Sequence, residues 1–364
     1  MRRRWVQVML SLLSLLGAGT VIAFGIPWVT GVGWADVIAQ FRALSVLTVV
    51  GMVVLWLLGL YAYTFVLTAS IPGLSNWQGF QLNAMGSAVS NLLPFGGAVG
   101  VAVTFALTGS WGIKPAVVLV GTLVSGIWNM LGRLALPAIG LGLLVVFGEL
   151  PDPKLASAAA GACGVLLLVL AGITGALWSE SVARWLGTAV DVLVRVLPQR
   201  WRPEPGRVGA TLVRLRRSTI ELVRRKWKQL SLAEVAYLGL QAALFAACLA
   251  ATGVDVGWVY MFAAFALNRV LTTVLVTPSG VGISETGAAA ALIALGAPPA
   301  SSAAAVLLFS MFTYVLEIPL GGLTWAWWTV DRRRRPEPVT VPPAPQDPEV
   351  EAEPPEPEER PAPP

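Results

Sequence analysis

The sequence contains no histidine. That removes the imidazole general base, the Ser-His-Asp triad and the HExxH type of zinc site. It has two cysteines, Cys163 and Cys248, each inside a long apolar run. Their number and spacing exclude a disulfide framework or a CxxC metal site, and both read as small packing residues. Charge is scarce too: Asp, Glu, Lys and Arg make up 12% of the chain, against about 25% in an ordinary soluble protein. No nucleotide-binding motif and no basic-aromatic nucleic-acid module is visible. The expectation is a protein that is not an enzyme, carries no cofactor and has no nucleic-acid partner.

What is present is hydrophobic: 56% of 364 residues. The net charge of +5 hides a division. The last 29 residues, Pro336 to Pro364, hold eight acids, one arginine and twelve prolines, while the remainder carries 24 basic and 12 acidic residues, a net +12. The tail reads as a disordered, solvated segment. The basic remainder, with its charges bordering apolar spans, suggests contact with anionic lipid headgroups.

Apolar stretches long enough to cross a bilayer, about 20 residues each, run from Trp5 to Ile26, Ala43 to Ser70, Leu155 to Trp178 and Ser231 to Ala251. After Met1-Arg2-Arg3-Arg4 the first is read as a span, with a cleaved signal peptide as the other reading. Pro115 to Phe147 is one long kinked span or two short ones, and Ala300 to Trp328 is a further return through the bilayer. Phe80 to Leu107 is broken by Asn91-Leu92-Leu93-Pro94-Phe95-Gly96-Gly97, and Trp258 to Thr277 ends in Pro278-Ser279-Gly280-Val281-Gly282 before a short helix, Ile283 to Leu295. Such breaks are tolerated at membrane depth only where protein or a water-filled cavity covers them. Between Ser179 and Leu230 lie twelve Lys/Arg, with amphipathic stretches at Arg184–Leu197 and Arg207–Lys228 that read as surface-lying helices seated by Trp185, Trp201 and Trp227.

The basic segments Arg2–Arg4, 179–230 and Arg332–Arg335 would share the cytoplasmic side. Four spans before residue 179 and two or four after it satisfy that rule. The reading is an all-α polytopic bundle of about 6–8 spans, in which a six-span count makes 80–110 and 256–297 re-entrant hairpins from opposite sides. The halves are 1–178 and 231–330, joined by the basic loop 179–230 and followed by 331–364. Paired Pro-x-Gly breaks, Pro94-Phe95-Gly96 and Pro278-Ser279-Gly280, each follow an apolar stretch with an asparagine, Asn91 or Asn268. That pattern points to an inverted repeat with a transport site near the midplane.

The Asn91-Leu92-Leu93-Pro94 to Gly100 stretch, the Pro278-to-Glu285 run and Ala294-Leu295-Gly296-Ala297-Pro298-Pro299-Ala300 resemble the membrane domain of lysylphosphatidylglycerol synthases, over roughly residues 1 to 330. That domain also occurs alone, in flippase-like proteins. The second motif commonly reads Pro-Gly-Gly-x-Gly-x-x-Glu in the family; here Ser279 replaces one glycine, and Pro278, Gly280, Gly282 and Glu285 keep their places. The first motif departs further, since Val99 to Leu107 is almost wholly apolar, and the family's charged pattern in the following helix is met only by Asn129 and Arg133. The resemblance implies lipid movement without the aminoacyl-transfer domain of the full-length synthases.

Several residues could carry such a function. Glu285, at a helix start, is either a headgroup or proton site or only a helix cap. Arg133 and Arg269 could pair with Glu285 or Glu317, bind a lipid phosphate, or snorkel to the interface. Gly96, Gly97, Gly280 and Gly282 allow backbone N–H groups to approach an anion, or allow helices to pack closely. Glu317, Asn91, Asn268, Pro94 and Pro278 complete the candidate set. The expected activity is binding or translocating an anionic or modified phospholipid across the bacterial plasma membrane, with both termini cytoplasmic. The alternative is a non-transporting partner of a separately encoded envelope-modifying enzyme.

Overall fold

The computed structural model describes residues 20–93, 96–147, 157, 160–165, 167–168, 207–272 and 280–334. All regular structure among them is helical. Pro94 and Pro278, most of the Leu155–Trp178 span, the Arg184–Leu197 stretch and the acidic tail lie outside the described residues.

A short helix α1 (Ile26–Thr30), entered through a π turn at Val21–Gly25, leads to α2 (Trp34–Arg42). Helix α3 (Val46–Ser70) is capped by Ser45 Oγ, which accepts from the Thr48 N–H. Helix α4 (Asn76–Leu92) begins with a capping box between Ser75 and Gln78, and the chain then breaks and resumes as α5 (Gly96–Ser110). Helix α6 (Pro115–Phe147) is one continuous helix despite Pro137, which settles the choice left open by the sequence. In the second half come α7 (Arg207–Ala251), α8 (Trp258–Leu271), α9 (Ile283–Ala294) and α10 (Pro299–Ser310). A π turn at Met311–Val315 then joins α10 to α11 (Glu317–Arg334). Four of these segments are long and apolar enough to cross a membrane: Val46–Ser70, Pro115–Phe147, Arg217–Ala251 and Pro299–Arg332.

One expectation changes at α7. The Arg207–Lys228 segment does not end as a separate surface helix but continues into the apolar span. No proline interrupts residues 207–251, so nothing breaks the hydrogen-bond ladder at the expected boundary near residue 230.

The two halves follow one plan: span, broken hairpin of short helices, span. Gly96 starts the second hairpin helix of the first half and Gly280 lies just before that of the second, Gly112 and Gly296 turn with φ of 76° and 92°, and Pro115 and Pro299 start the closing span. One constant interval separates the members of all three pairs. At both breaks a glycine sits where any Cβ would strike the end of the preceding helix: Gly96 against the Ser90 backbone, Gly280 against that of Leu271 and Thr272. Counting from Trp77 and Trp258, which stand at the starts of α4 and α8, the counterpart of Asn268 is Ser87 rather than Asn91. The asparagine pairing suggested by the sequence is thus one turn out, because the second break is slightly longer.

The halves are also related in space. Cys248 Sγ lies 3.7 Å from Met52 Sδ, a Cβ at Gly59 would lie 3.8 Å from Leu240 Cβ, and the rings of Tyr63 and Tyr237 are 4.9 Å apart. Residue numbers rise along α3 as they fall along α7, so these two spans run antiparallel. The packing is crosswise: α4 lies on α11 of the other half, and α8 on α6. An antiparallel, crosswise exchange of equivalent elements is what an inverted repeat requires.

Lipid tails are as apolar as leucine, so helices associate in a membrane through close van der Waals packing, which small residues permit. Ala288 and Ala289 on α9 share one buried cluster with Ala305 on α10, while Ala303 and Ala304 pack with Ile26 and Val37 of α1 and α2; all five alanines are fully buried. Phe245, Phe265 and Phe309 interlock beside them, with ring centroids 5.2–6.2 Å apart. Ala289→Leu should therefore overpack this seam, at about 1–3 kcal/mol. The check is thermal unfolding of the detergent-solubilised protein; an unchanged midpoint would contradict the packing.

Candidate functional site

A cavity of roughly 450 Å³ lies between the first hairpin and the spans around it. It exists because the segments that enclose it are irregular or carry small residues. Gly97, Gly100 and Thr104 of α5 form one wall, and Ser125, Gly126 and Asn129 of α6 face them. Gly97, Val101 and Gly126 are exposed, so the cavity has an open flank between α5 and α6. Its deep end is polar: Arg133, Arg269, Asn91 and Glu317 converge there with Tyr63, Tyr237 and Tyr314, three of the chain's five tyrosines.

Proline shapes this end twice. Pro319 has no N–H to give and would crowd a regular helical turn before it, and the backbone there opens into the Met311–Val315 π turn, with the Leu316 N–H donating to Met311 O. Asn91 Nδ2 reaches into that turn, lying 3.4 Å from the carbonyls of Thr313 and Tyr314 and donating to Glu317 Oε2 at 3.1 Å. Ser87 also hydrogen-bonds Glu317. The broken hairpin of the first half is thereby tied to the bulged span of the second. Pro137 likewise leaves the carbonyl of Arg133 without its usual donor one turn on.

The two arginines stand close enough for their charges to interact. Arg269 is 6% exposed, and the Nε of each is buried without a hydrogen-bond partner. Among the described residues, no ion pair joins either guanidinium to Glu285 or Glu317. A buried guanidinium donor left without an acceptor is costly, and an anion would supply one. Arg133 and Glu317 stand equally far along their spans from Pro115 and Pro299, so equivalent positions of the repeat carry opposite charges. Both lie near the middle of their helical stretches, which the 34-residue and 33-residue spans place far from either end.

Glu285 is elsewhere. It is fully buried, away from the cavity wall, and satisfied. Its Oε2 accepts from the Gly282 N–H at 2.6 Å and the Ser284 hydroxyl at 2.9 Å, and its Oε1 accepts from the Ser310 hydroxyl at 2.6 Å. Gly282 has φ of 93°, a left-handed conformation that a side chain would strain, and it holds the start of α9 where the carboxylate can cap it. Of the two readings offered for Glu285, the geometry is that of a cap which also ties α9 to α10. Asn268 Nδ2 donates to Ser284 O at 3.3 Å and braces the same turn. Gly96 and Gly280 serve helix contact; Gly97 lines the cavity.

Sequence reading brought out Arg133, Arg269, Asn91, Glu317 and Gly97, which the fold unites. It passed over the three tyrosines, Gln241 and Glu234. The tyrosines and Gln241 carry no motif, and only their shared cavity identifies them. Glu234 had a signal, as the sole acid between Ser231 and Ala251. Stability separates the two classes of site residue. Glu285→Ala strands three donors and should lower stability by about 1–3 kcal/mol or more, whereas Arg133→Gln removes one of two neighbouring like charges whose Nε–H makes no hydrogen bond among the described residues and should lower it less. Thermal unfolding of both variants in detergent decides this, and the reverse order would contradict the assignment.

Residues 11–321 match the family described as the lysylphosphatidylglycerol synthase TM region. Among curated proteins no match is found.

Proposed function

The chain belongs to the lysylphosphatidylglycerol synthase transmembrane family, a membrane-protein family linked to lipid modification and translocation, and from that premise we propose that it binds the phosphate of an anionic or modified phospholipid and carries it between leaflets. The observation that carries this reading is the pair Arg133 and Arg269, which both line one cavity and whose buried Nε–H donors have no partner among the described residues. Guanidinium donors match phosphate oxygens in both charge and geometry. A volume of roughly 450 Å³ suits a headgroup and not the acyl chains. The chains would stay in the bilayer and follow the headgroup along the flank between α5 and α6. The tyrosine hydroxyls and Asn129 would replace headgroup water along the wall.

In this reading the membrane is the bacterial plasma membrane, and the basic ends Arg2–Arg4, 179–230 and Arg332–Arg335 face the cytoplasm, where anionic lipid would collect. The protein moves or positions lipid and does no covalent chemistry.

Headgroup accessibility in proteoliposomes tests the proposal, with labelled phosphatidylglycerol and the protein present or absent. Charge-assisted hydrogen bonds contribute about 1.5–3 kcal/mol each, so Arg133→Gln and Arg269→Gln should each slow protein-dependent movement about tenfold or more. Movement at the full rate in both variants would contradict the site. Absence of movement with the folded unsubstituted protein, for every lipid tried, would instead favour a partner of a separately encoded envelope enzyme.

A further inference from the structure

Glu234 is 4% exposed, and both of its carboxylate oxygens lack a hydrogen-bond partner. It lies off the cavity wall, pressed onto α6. A Cβ at Gly132 would come within 2.9 Å of its Oε1 and 3.3 Å of its Cγ, so the glycine lets the carboxylate rest on the helix backbone directly beside Arg133. The α6–α7 seam is fixed one turn earlier by the Trp128 indole N–H, which donates to Ser231 Oγ at 3.2 Å. The charged and titratable groups around Glu234 are Tyr63 of α3, Arg133 of α6, Arg269 of α8 and Tyr237 of its own helix. Helix α10, which also packs on α7, brings none.

A carboxylate that accepts no hydrogen bond in a dry interior is not sustained as a free ion; it takes up a cation or a proton. Of the two cations whose charge reaches it, Arg133 directly follows Gly132 and has an unsatisfied donor of its own. We infer that Glu234 is the exchangeable counter-ion of Arg133, paired with it while the cavity is empty and protonated when a lipid phosphate takes its place on the guanidinium. This rests on the phosphate site proposed above. The charges balance: one phosphate anion and one proton enter together, and the buried cluster keeps its net charge. The proton binds a carboxylate oxygen, and no other bond forms or breaks.

Linkage makes the exchange reciprocal. If phosphate on Arg133 favours a proton on Glu234, the proton favours phosphate by the same factor, typically 5–150-fold for coupled sites. Affinity is then highest at low pH and falls as rising pH ionises Glu234 and returns it to Arg133. Glu234→Gln, which mimics the protonated side chain, should hold the low-pH affinity at every pH.

The experiment is calorimetric titration of the full chain, in nanodiscs of zwitterionic lipid, with short-chain dihexanoyl-phosphatidylglycerol. Two buffers of different ionisation enthalpy, at several pH values, give the number of protons bound. The expected result is uptake of about one proton per lipid in the unsubstituted protein, none in Glu234→Gln, and uptake restored in Glu234→Asp, following the one-for-one exchange of the linkage. Lipid binding without proton uptake, or uptake retained in Glu234→Gln, overturns the inference. If Glu234→Gln does not fold, Glu234→Asp decides by its pH midpoint, which must shift; an unshifted midpoint overturns the inference. Absence of phospholipid binding at any pH would overturn the phosphate site itself, a distinct failure.

Discussion

Two guanidinium groups, Arg133 and Arg269, sit together in the interior of a helical bundle, each with a buried Nε–H donor that no group among the described residues accepts. Like charges at close range repel, and the apolar surroundings weaken the screening that water would give. The rest of the site can be understood as what makes this arrangement tolerable. The hairpin break admits a polar cavity, glycines keep its wall thin, and Asn91 holds Glu317 at its deep end. Glu234 lies against Gly132, the residue before Arg133.

The repeat explains how such a site is built on a chain with so few charges. Antiparallel α3 and α7 form the shared centre, and each half lends a broken hairpin to the span of the other. The backbone plan is symmetric, while its chemistry is not. Arg133 and Glu317 hold matching positions with opposite charge. The first hairpin is loosely set against α6 and leaves a cavity, whereas α9 is sealed onto α10 by fully buried alanines and by the bond from the Ser310 hydroxyl to Glu285. Functional polarity therefore comes from side chains and packing rather than from topology.

Much of this was legible in the sequence because membrane folding obeys few rules. Absent charge over spans such as Val46–Ser70 gave the bundle, and paired Pro/Gly breaks gave the repeat and its hairpins. Four of the residues that gather at the deep end, Arg133, Arg269, Asn91 and Glu317, were visible as polar groups in apolar surroundings. Two things were not. The cap reading of Glu285 was among those the helix start offered, but the bond to its carboxylate from Ser310 on a different helix is one that no local pattern discloses. The continuity of α7 across residue 230 depends on nothing interrupting its ladder, while the amphipathic pattern before it suggested a separate surface element.

The proposed transport requires a phosphate seated between the two arginines. The most direct measurement is an electron cryo-microscopy structure of the full chain in nanodiscs containing phosphatidylglycerol. Headgroup density is expected in the cavity, with phosphate oxygens within hydrogen-bond distance, about 2.7–2.9 Å, of both guanidiniums, and acyl chains leaving between α5 and α6. A cavity free of lipid, with Arg133 and Arg269 each paired to a protein carboxylate, would contradict it.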